Sequence, residues 1–269
     1  MRSKGGGGAR ARQASPRALA IAGGVALIAV IAIVLGVVIS GGSGGSQVVS
    51  NSDMQGLGAV GNASSPNALP GAADANDLFK GIPQHGLTLG KPNAPVTMEM
   101  FVDVQCPFCQ DYEINKLPTI VQKYIRTGQV QLHLKPWAFL GGNGSQSFSG
   151  RLGLIAASFQ NKGFEYAKVL YDNQGQEESG WLNGQMMANI AASVTGLDLA
   201  RWQADTNSSA PKTVANQVDT LVAQNKKVVG TPTVFVGHTG GQLGYVGTPG
   251  VEPTLQQTEQ AINHALSGT

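Results

Sequence analysis

Apolar and polar positions alternate strictly where Val96, Met98, Met100 and Val102 are interleaved with Thr97, Glu99, Phe101 and Asp103, the two-residue period of a strand with unlike faces. The period then lengthens. Leu117, Ile120, Val121, Tyr124 and Ile125 recur at helical spacing, Pro107 suits a first helical position, and Gly128 is a natural stop. Pro118 predicts a kink within this helix, because proline lacks the N–H and crowds the preceding turn. Val130, Leu132 and Leu134 alternate against Gln131, His133 and Lys135 and restore the strand period. A strand, a helix and a strand of this size predict a right-handed crossover onto a parallel pair.

Beyond Gly141 and Gly142 the pattern is helical as far as about residue 228. Phe148, Leu152, Ile155, Ala156 and Phe159 form one stripe, Met187, Ile190, Ala191 and Val194 a second, and Val214, Val218, Leu221 and Val222 a third; all three read as core. Asp198 predicts the N-cap of a short helix carrying Leu199 and Trp202. Strand signals return at residues 233–236 and 242–246, around a turn holding Gly237, Gly240 and Gly241, and Leu255, Ile262 and Leu266 give a last helix its apolar face. The fold class expected is α/β.

Residues 19–39 carry no charge over 21 positions, and Arg2, Lys4, Arg10, Arg12 and Arg17 precede them before any acid. As a helix, that stretch spans the hydrocarbon core of about 30 Å with its basic flank in the cytoplasm. The expectation is a cytoplasmic tail over 1–17, a single-pass anchor over 18–40 and the remainder outside the cytoplasm. A cleavable signal peptide is the alternative, but its apolar region runs only about 7 to 15 residues, and no clear Ala-x-Ala site follows. Residues 41–77, dominated by Gly, Ser, Ala and Asn, read as a flexible tether. Residues 78–269 remain for one domain with a helical subdomain at about 141–228. Past residue 17 thirteen Lys and Arg face sixteen Asp and Glu, so nothing points to nucleic acid.

The chain has two cysteines, and both lie in the run Cys106-Pro107-Phe108-Cys109. A disulfide closing so short a loop removes little unfolded-state entropy, roughly 2 kcal/mol on the chain-entropy model, so the pair reads as reactive rather than structural. The strand delivers Cys106 to the start of a helix, whose partial positive charge and unpaired N–H groups stabilise a thiolate. A stabilised thiolate favours the dithiol, which makes the disulfide an oxidant of other thiols; Cys109, one turn on, is the less exposed partner. His85, His133, His238 and His264 lack a compact metal spacing, so no resident metal is expected. Soft copper ligation by the cysteine pair, as in a metallochaperone, is the alternative from a different class.

Four pieces together resemble the DsbA-like thiol–disulfide oxidoreductases of thioredoxin fold, in the branch with one N-terminal membrane anchor. They are Gly81-Ile82-Pro83-Gln84 with Gly86 and Leu89-Gly90; Asp103-Val104-Gln105-Cys106-Pro107-Phe108-Cys109; the helical insertion; and Val229-Gly230-Thr231-Pro232-Thr233. The resemblance covers roughly residues 81–266. It implies a central mixed sheet with an inserted helical subdomain, catalysis by Cys106 and Cys109, and support from Pro107, Phe108, Thr231 and Pro232. It further implies a cis Thr231–Pro232 bond lying against the cysteines, with Thr231 peptide groups free for an extended substrate.

No cofactor beyond the redox-active disulfide is implied. The implied partners are thiols of exported proteins and a membrane redox partner, a quinone-linked oxidase, for recycling. One position departs from the resemblance: relatives commonly carry a buried glutamate six residues before the first cysteine, suited to relaying a proton, and this chain has Met100 there. Glu99 is adjacent but points to the opposite face. Asp103 matches a family position and equally suits a turn; Phe108 and Trp137 offer apolar surface, with packing the simpler role for each. The reading that results is an extracytoplasmic oxidoreductase forming disulfides in exported proteins, with a reductase or isomerase for particular clients as the alternative within the class.

Overall fold

A computed structural model describes residues 47–268. The expected tail over 1–17 and anchor over 18–40 lie outside the described residues, and among the described residues no helix is long and apolar enough to cross a membrane.

The alternating segment forms β3 (Val96–Val102), at the centre of a sheet with β1 (Gln84–His85), β2 (Thr88–Leu89), β4 (Val130–Pro136), β5 (Thr233–His238) and β6 (Gly244–Tyr245), in the order β1-β2-β4-β3-β5-β6. β4 pairs parallel to β3 with Val96 opposite Val130, and β5 pairs antiparallel with Met100 opposite Val234. The sheet is therefore mixed, as expected. Val96, Met98, Met100, Val130, Leu132, Leu134 and Val234 share one face and are buried. On the other face Phe101 and Phe235 pack edge to face, 6.1 Å between ring centroids, while Glu99 meets Lys135 at 3.4 Å and His133 at 3.8 Å.

Between β3 and β4 the helix breaks where proline requires it. α2 (Pro107–Asn115) ends at Lys116, and the chain restarts as α3 (Leu117–Ile120), continuing through a π-helical turn at Val121–Ile125. Five helices then separate β4 from β5: α4 (Gln146–Ser158), α5 (Gly163–Asp172), α6 (Gly184–Ala192), α7 (Leu199–Asn207) and α8 (Ala210–Gln224). The expected stripes fall on α4, α6 and α8, except that Phe159 and Val194 lie just past the ends of α4 and α6 and Leu221 is exposed. Asp198 caps α7 by accepting from the Arg201 N–H. Trp202 is fully buried, donates to the Gly153 carbonyl at 2.9 Å and lies against Tyr166. The last helix, α9 (Leu255–Ser267), starts with a capping box of Thr254 and Gln257.

The tether is corrected over its described part. Residues 47–71 lie along the insertion, and α1 (Ala72–Phe79) follows them. Order comes from hydrogen bonds and close backbone approach together with a few apolar side chains, Val49, Met54, Leu57 and Leu69, packed on the core. Asn207 Oδ1 accepts from the N–H groups of Val48 and Val49, its Nδ2 donates to the Val49 carbonyl, and Val49 is fully buried. Gly61 donates to the Leu197 carbonyl at 2.9 Å, and a Cβ at Gly61 would stand 2.2 Å from the Val194 carbonyl oxygen, so only glycine fits there. Ser193 and Thr195 side chains accept from the Leu69 and Ala63 N–H groups. Composition undervalued the segment because its partners are polar side chains more than a hundred residues away in the chain. Replacing Asn207 by Ala should cost roughly 1 to 3 kcal/mol and expose residues 47–60 to protease ahead of the rest. Thermal melts and limited proteolysis with mass mapping check this; parental cleavage kinetics would contradict it.

Candidate redox site

β3 ends at Val102, and a tight turn, closed by the Cys106 N–H on the Asp103 carbonyl at 3.1 Å, places Cys106 at the N-cap of α2 with Pro107 at its first position. Both cysteines are free thiols; Cys106 is 5% exposed and Cys109 fully buried. Phe108 between them is 60% exposed. Across from the pair the Thr231–Pro232 peptide bond is cis, and the Cys106 thiol donates to the Thr231 carbonyl at 3.3 Å. Cys106, Pro107, Phe108, Cys109, Thr231 and Pro232 are thus brought together. While Cys106 is protonated, its thiol engages the Thr231 carbonyl.

The two sulfurs have opposite proton preferences. The Cys106 thiol is lowered to about 6, first by a hydrogen bond from the Cys109 thiol, against the cost of burial, and then by Thr231 and the backbone N–H groups of Cys109 and Phe108. The Thr231 hydroxyl is buried and has no other partner. Ionisation of Cys106 removes its donor bond to the Thr231 carbonyl and makes the sulfur an acceptor for that hydroxyl. Burial, followed by its neighbour Cys106, pushes the Cys109 thiol well up, although the Asp103 N–H donates to its sulfur at 3.4 Å. At neutral pH the stable dithiol is therefore thiolate at Cys106 and thiol at Cys109.

Met100 is fully buried in the core of the sheet, and Glu99 faces away, lowered by its bond to His133 and by Lys135. A buried acid nonetheless lies on the same helix as Cys109. Glu113, one helical turn after Cys109 on α2, is 2% exposed, and burial pushes it up to about 8, with Lys168 of α5 lowering it and Asp172 raising it. Tyr171, between those two on α5, donates to the Asp103 carbonyl at 3.1 Å and feels the charges of both Cys109 and Glu113.

Sequence reasoning missed Glu113. Its spacing from Cys109 was available, but its burial depends on α5, whose approach no local pattern announces. Asp103 is fully buried; burial raises its carboxyl, while bonds from the Leu140 N–H, the Ser147 hydroxyl and the Gln105 N–H hold it down. It is a turn and network residue. Trp137 packs on Phe139, 5.0 Å between centroids, and against the cluster around Phe101. Among the described residues no three of His, Cys, Asp and Glu are grouped to hold a metal ion.

The thiolate ultraviolet absorbance of the reduced protein should titrate with a midpoint of about 6 and vanish in Cys106→Ser. Cys109→Ala, which removes the strongest donor to the thiolate, should move the midpoint up; an unchanged midpoint would refute the assignment of cause. A carboxylic-acid infrared band lost at about pH 8 should be absent from Glu113→Gln.

Residues 83–242 match the family described as Thioredoxin. The chain is 26% identical over 162 residues to a probable disulfide bond formation protein D of Bacillus anthracis, covering 60% of this chain and 73% of that one. It is 25% identical over 167 residues to disulfide bond formation protein D of Bacillus subtilis, covering 61% and 72%. Among solved structures it is similar to oxidised BdbD from Bacillus subtilis, with a TM-score of 0.58 at 19% identity over 68% of this chain and 94% of that one. Chlamydia trachomatis DsbA gives a TM-score of 0.55 at 18% identity, covering 68% and 92%. With a Cys-x-x-Cys pair at the start of α2, a cis proline beside it and five inserted helices, the chain belongs to the thioredoxin family, as a thiol–disulfide oxidoreductase.

Proposed function

We propose that this protein oxidises thiol pairs of exported proteins to disulfides outside the cytoplasm, with Cys106 as the attacked sulfur and Cys109 as the leaving one. The observation that carries the direction is the split between the sulfurs, a Cys106 thiolate favoured down to about 6 beside a Cys109 held neutral. A thiolate stabilised only in the dithiol makes the dithiol the low-energy form, so the disulfide gives up its bond readily.

A substrate thiolate attacks Sγ of Cys106, the Cys106–Cys109 bond breaks, and its electron pair passes to Cys109, which takes up a proton. Glu113 holds a proton one turn away. The second substrate thiolate then attacks the substrate sulfur of the mixed disulfide, and Cys106 departs as thiolate. Two electrons pass to the protein and one disulfide forms in the substrate. The cysteine pair is itself the redox group, and no other cofactor enters. Exposed Phe108 and Val229, beside the cysteines and the cis proline in the chain, offer apolar contact to segments that are still unfolded.

The uncharged run at residues 19–39, behind five basic residues, supports a single-pass anchor with the catalytic domain on the outer side of the membrane. A membrane oxidase is the fitting recycling partner, since each turnover leaves the dithiol.

The reduction potential of the pair, measured against glutathione buffers with Cys106→Ser as the inert control, tests the direction. A potential well above the glutathione poise is expected; a value near that of thioredoxin would turn the assignment to a reductase. Because reduction takes up two protons below the Cys106 midpoint and one above it, the potential should fall by about 59 mV per pH unit below pH 6 and by about 30 mV above it. A single slope from pH 4 to pH 8 would exclude a thiolate at Cys106.

A further inference from the structure

The turn that delivers Cys106 is gripped by the helical insertion, and Gln105 is the residue through which it is gripped. Gln105 is fully buried although it is polar and adjoins the reactive cysteine. Its Nε2 donates to Glu178 Oε1 at 2.8 Å and to the Ser147 hydroxyl at 3.0 Å, and its Oε1 accepts from the Glu178 backbone N–H at 3.2 Å. The main chain is held as well. The Gln105 N–H donates to Asp103 Oδ1 at 2.9 Å, the Gln105 carbonyl accepts from Gln174 Nε2 at 2.6 Å, and Ser147 donates on to Asp103 Oδ1 at 2.6 Å.

Ser147 belongs to the first turn of α4, and Gln174 and Glu178 to the loop between α5 and α6. Glu178 meets both ends of the carboxamide with φ at +55°, in the left-handed region where few residues other than glycine sit. The loop is braced by Trp181, whose ring lies over Gly175 so closely that a Cβ there would stand 2.7 Å from it. A residue that merely filled space would need apolar surface, not three directed bonds to two partners.

We propose that Gln105 and Glu178 form a clasp by which the insertion positions Cys106 for thiol exchange. Both are positioning residues acting through the turn. The turn sets how Sγ of Cys106 meets the N–H groups of Phe108 and Cys109 and the Thr231 hydroxyl, and those contacts favour its thiolate. The clasp rests on the redox reading of the cysteine pair and assigns the insertion a part in that chemistry.

The test compares the full chain with Gln105→Glu, Glu178→Ala and the double variant Gln105→Glu/Glu178→Gln. Each is followed by thermal melt, by Cys106 thiolate titration and by the rate at which the disulfide form oxidises a reduced dithiol peptide. Gln105→Glu sets one carboxylate against another and removes the donor. It should slow oxidation about tenfold and raise the Cys106 midpoint. Glu178→Ala, at an exposed position, leaves the core intact and should move both quantities the same way, keeping the test valid if Gln105→Glu folds poorly. The double variant restores a carboxylate–amide pair with donor and acceptor exchanged and should recover the rate to within about threefold of the parent.

Parental midpoints and rates in Glu178→Ala would overturn the clasp, as would a double variant no faster than Gln105→Glu. A parent chain with no reversible dithiol couple would instead defeat the redox reading and the clasp together, so the two failures are told apart by the parent alone.

Discussion

Two sulfur atoms on one turn of helix hold a single proton between them at neutral pH, and the surrounding structure decides which of them keeps it. Cys106 has the helix N-terminus, the Cys109 thiol and Thr231 around it; Cys109 has burial on every side, and its bond to Cys106 keeps its proton in place against a weak bond from the Asp103 N–H. The asymmetry needs α2 to begin at Cys106, which needs β3 to end at Val102 and the intervening turn to stay closed. The mixed sheet, the parallel crossover to β4 and the late strand that presents Thr231–Pro232 all bear on these few contacts. None is strong alone. Their effect comes from being fixed before substrate arrives, so that the thiolate is stabilised without reorganisation.

The helical insertion does two kinds of work against this centre. From α5 it closes over the far side of α2, where Lys168, Asp172 and Tyr171 surround Glu113 and bury an acid that Met100 cannot supply from the sheet. From α4 and the loop after α5 it reaches the near side, where Ser147, Gln174 and Glu178 hold the turn before Cys106. Burial of polar groups in a low-dielectric interior is costly unless they are bonded, and here the bonds run to Gln105 and Asp103. The active-site turn would expose or orphan those groups without the insertion.

What could be read from the chain divides along the same line. β3, the helix at Leu117–Ile125 and β4 each carry their own period, and prolines mark the start of α2 and the break after it, so these elements are legible locally. The cysteine pair was legible because both cysteines of the chain stand two residues apart, whereas the cis Thr231–Pro232 bond was expected only through the resemblance. α5 was not: its polar positions Glu165 and Lys168 read as a solvent-facing stripe, yet every residue from Gly163 to Tyr171 is buried. Residues 47–71 were misjudged because their order comes from Asn207, Ser193 and Thr195, which no composition window contains. Glu113 and Gln105 were in plain view as letters. Their roles arise only from what folds over them, and a glutamate on a helix or a glutamine in a turn reads by default as solvent-facing.

That distinction bears on how such a protein can vary. The thiolate at Cys106 is set by backbone groups and by two neighbouring side chains, so substitutions in the insertion leave its chemistry intact in kind and alter it only through geometry. The acid at Glu113 is different, because its proton is retained by burial, and Lys168 draws it the other way while Asp172 supports it. Any change that loosens α5 against α2 hydrates Glu113, lets it ionise and places a negative charge one turn from the sulfur that must remain neutral. Packing of α5 therefore governs the proton on Glu113, and the insertion holds the turn before Cys106 without presenting a reacting atom of its own.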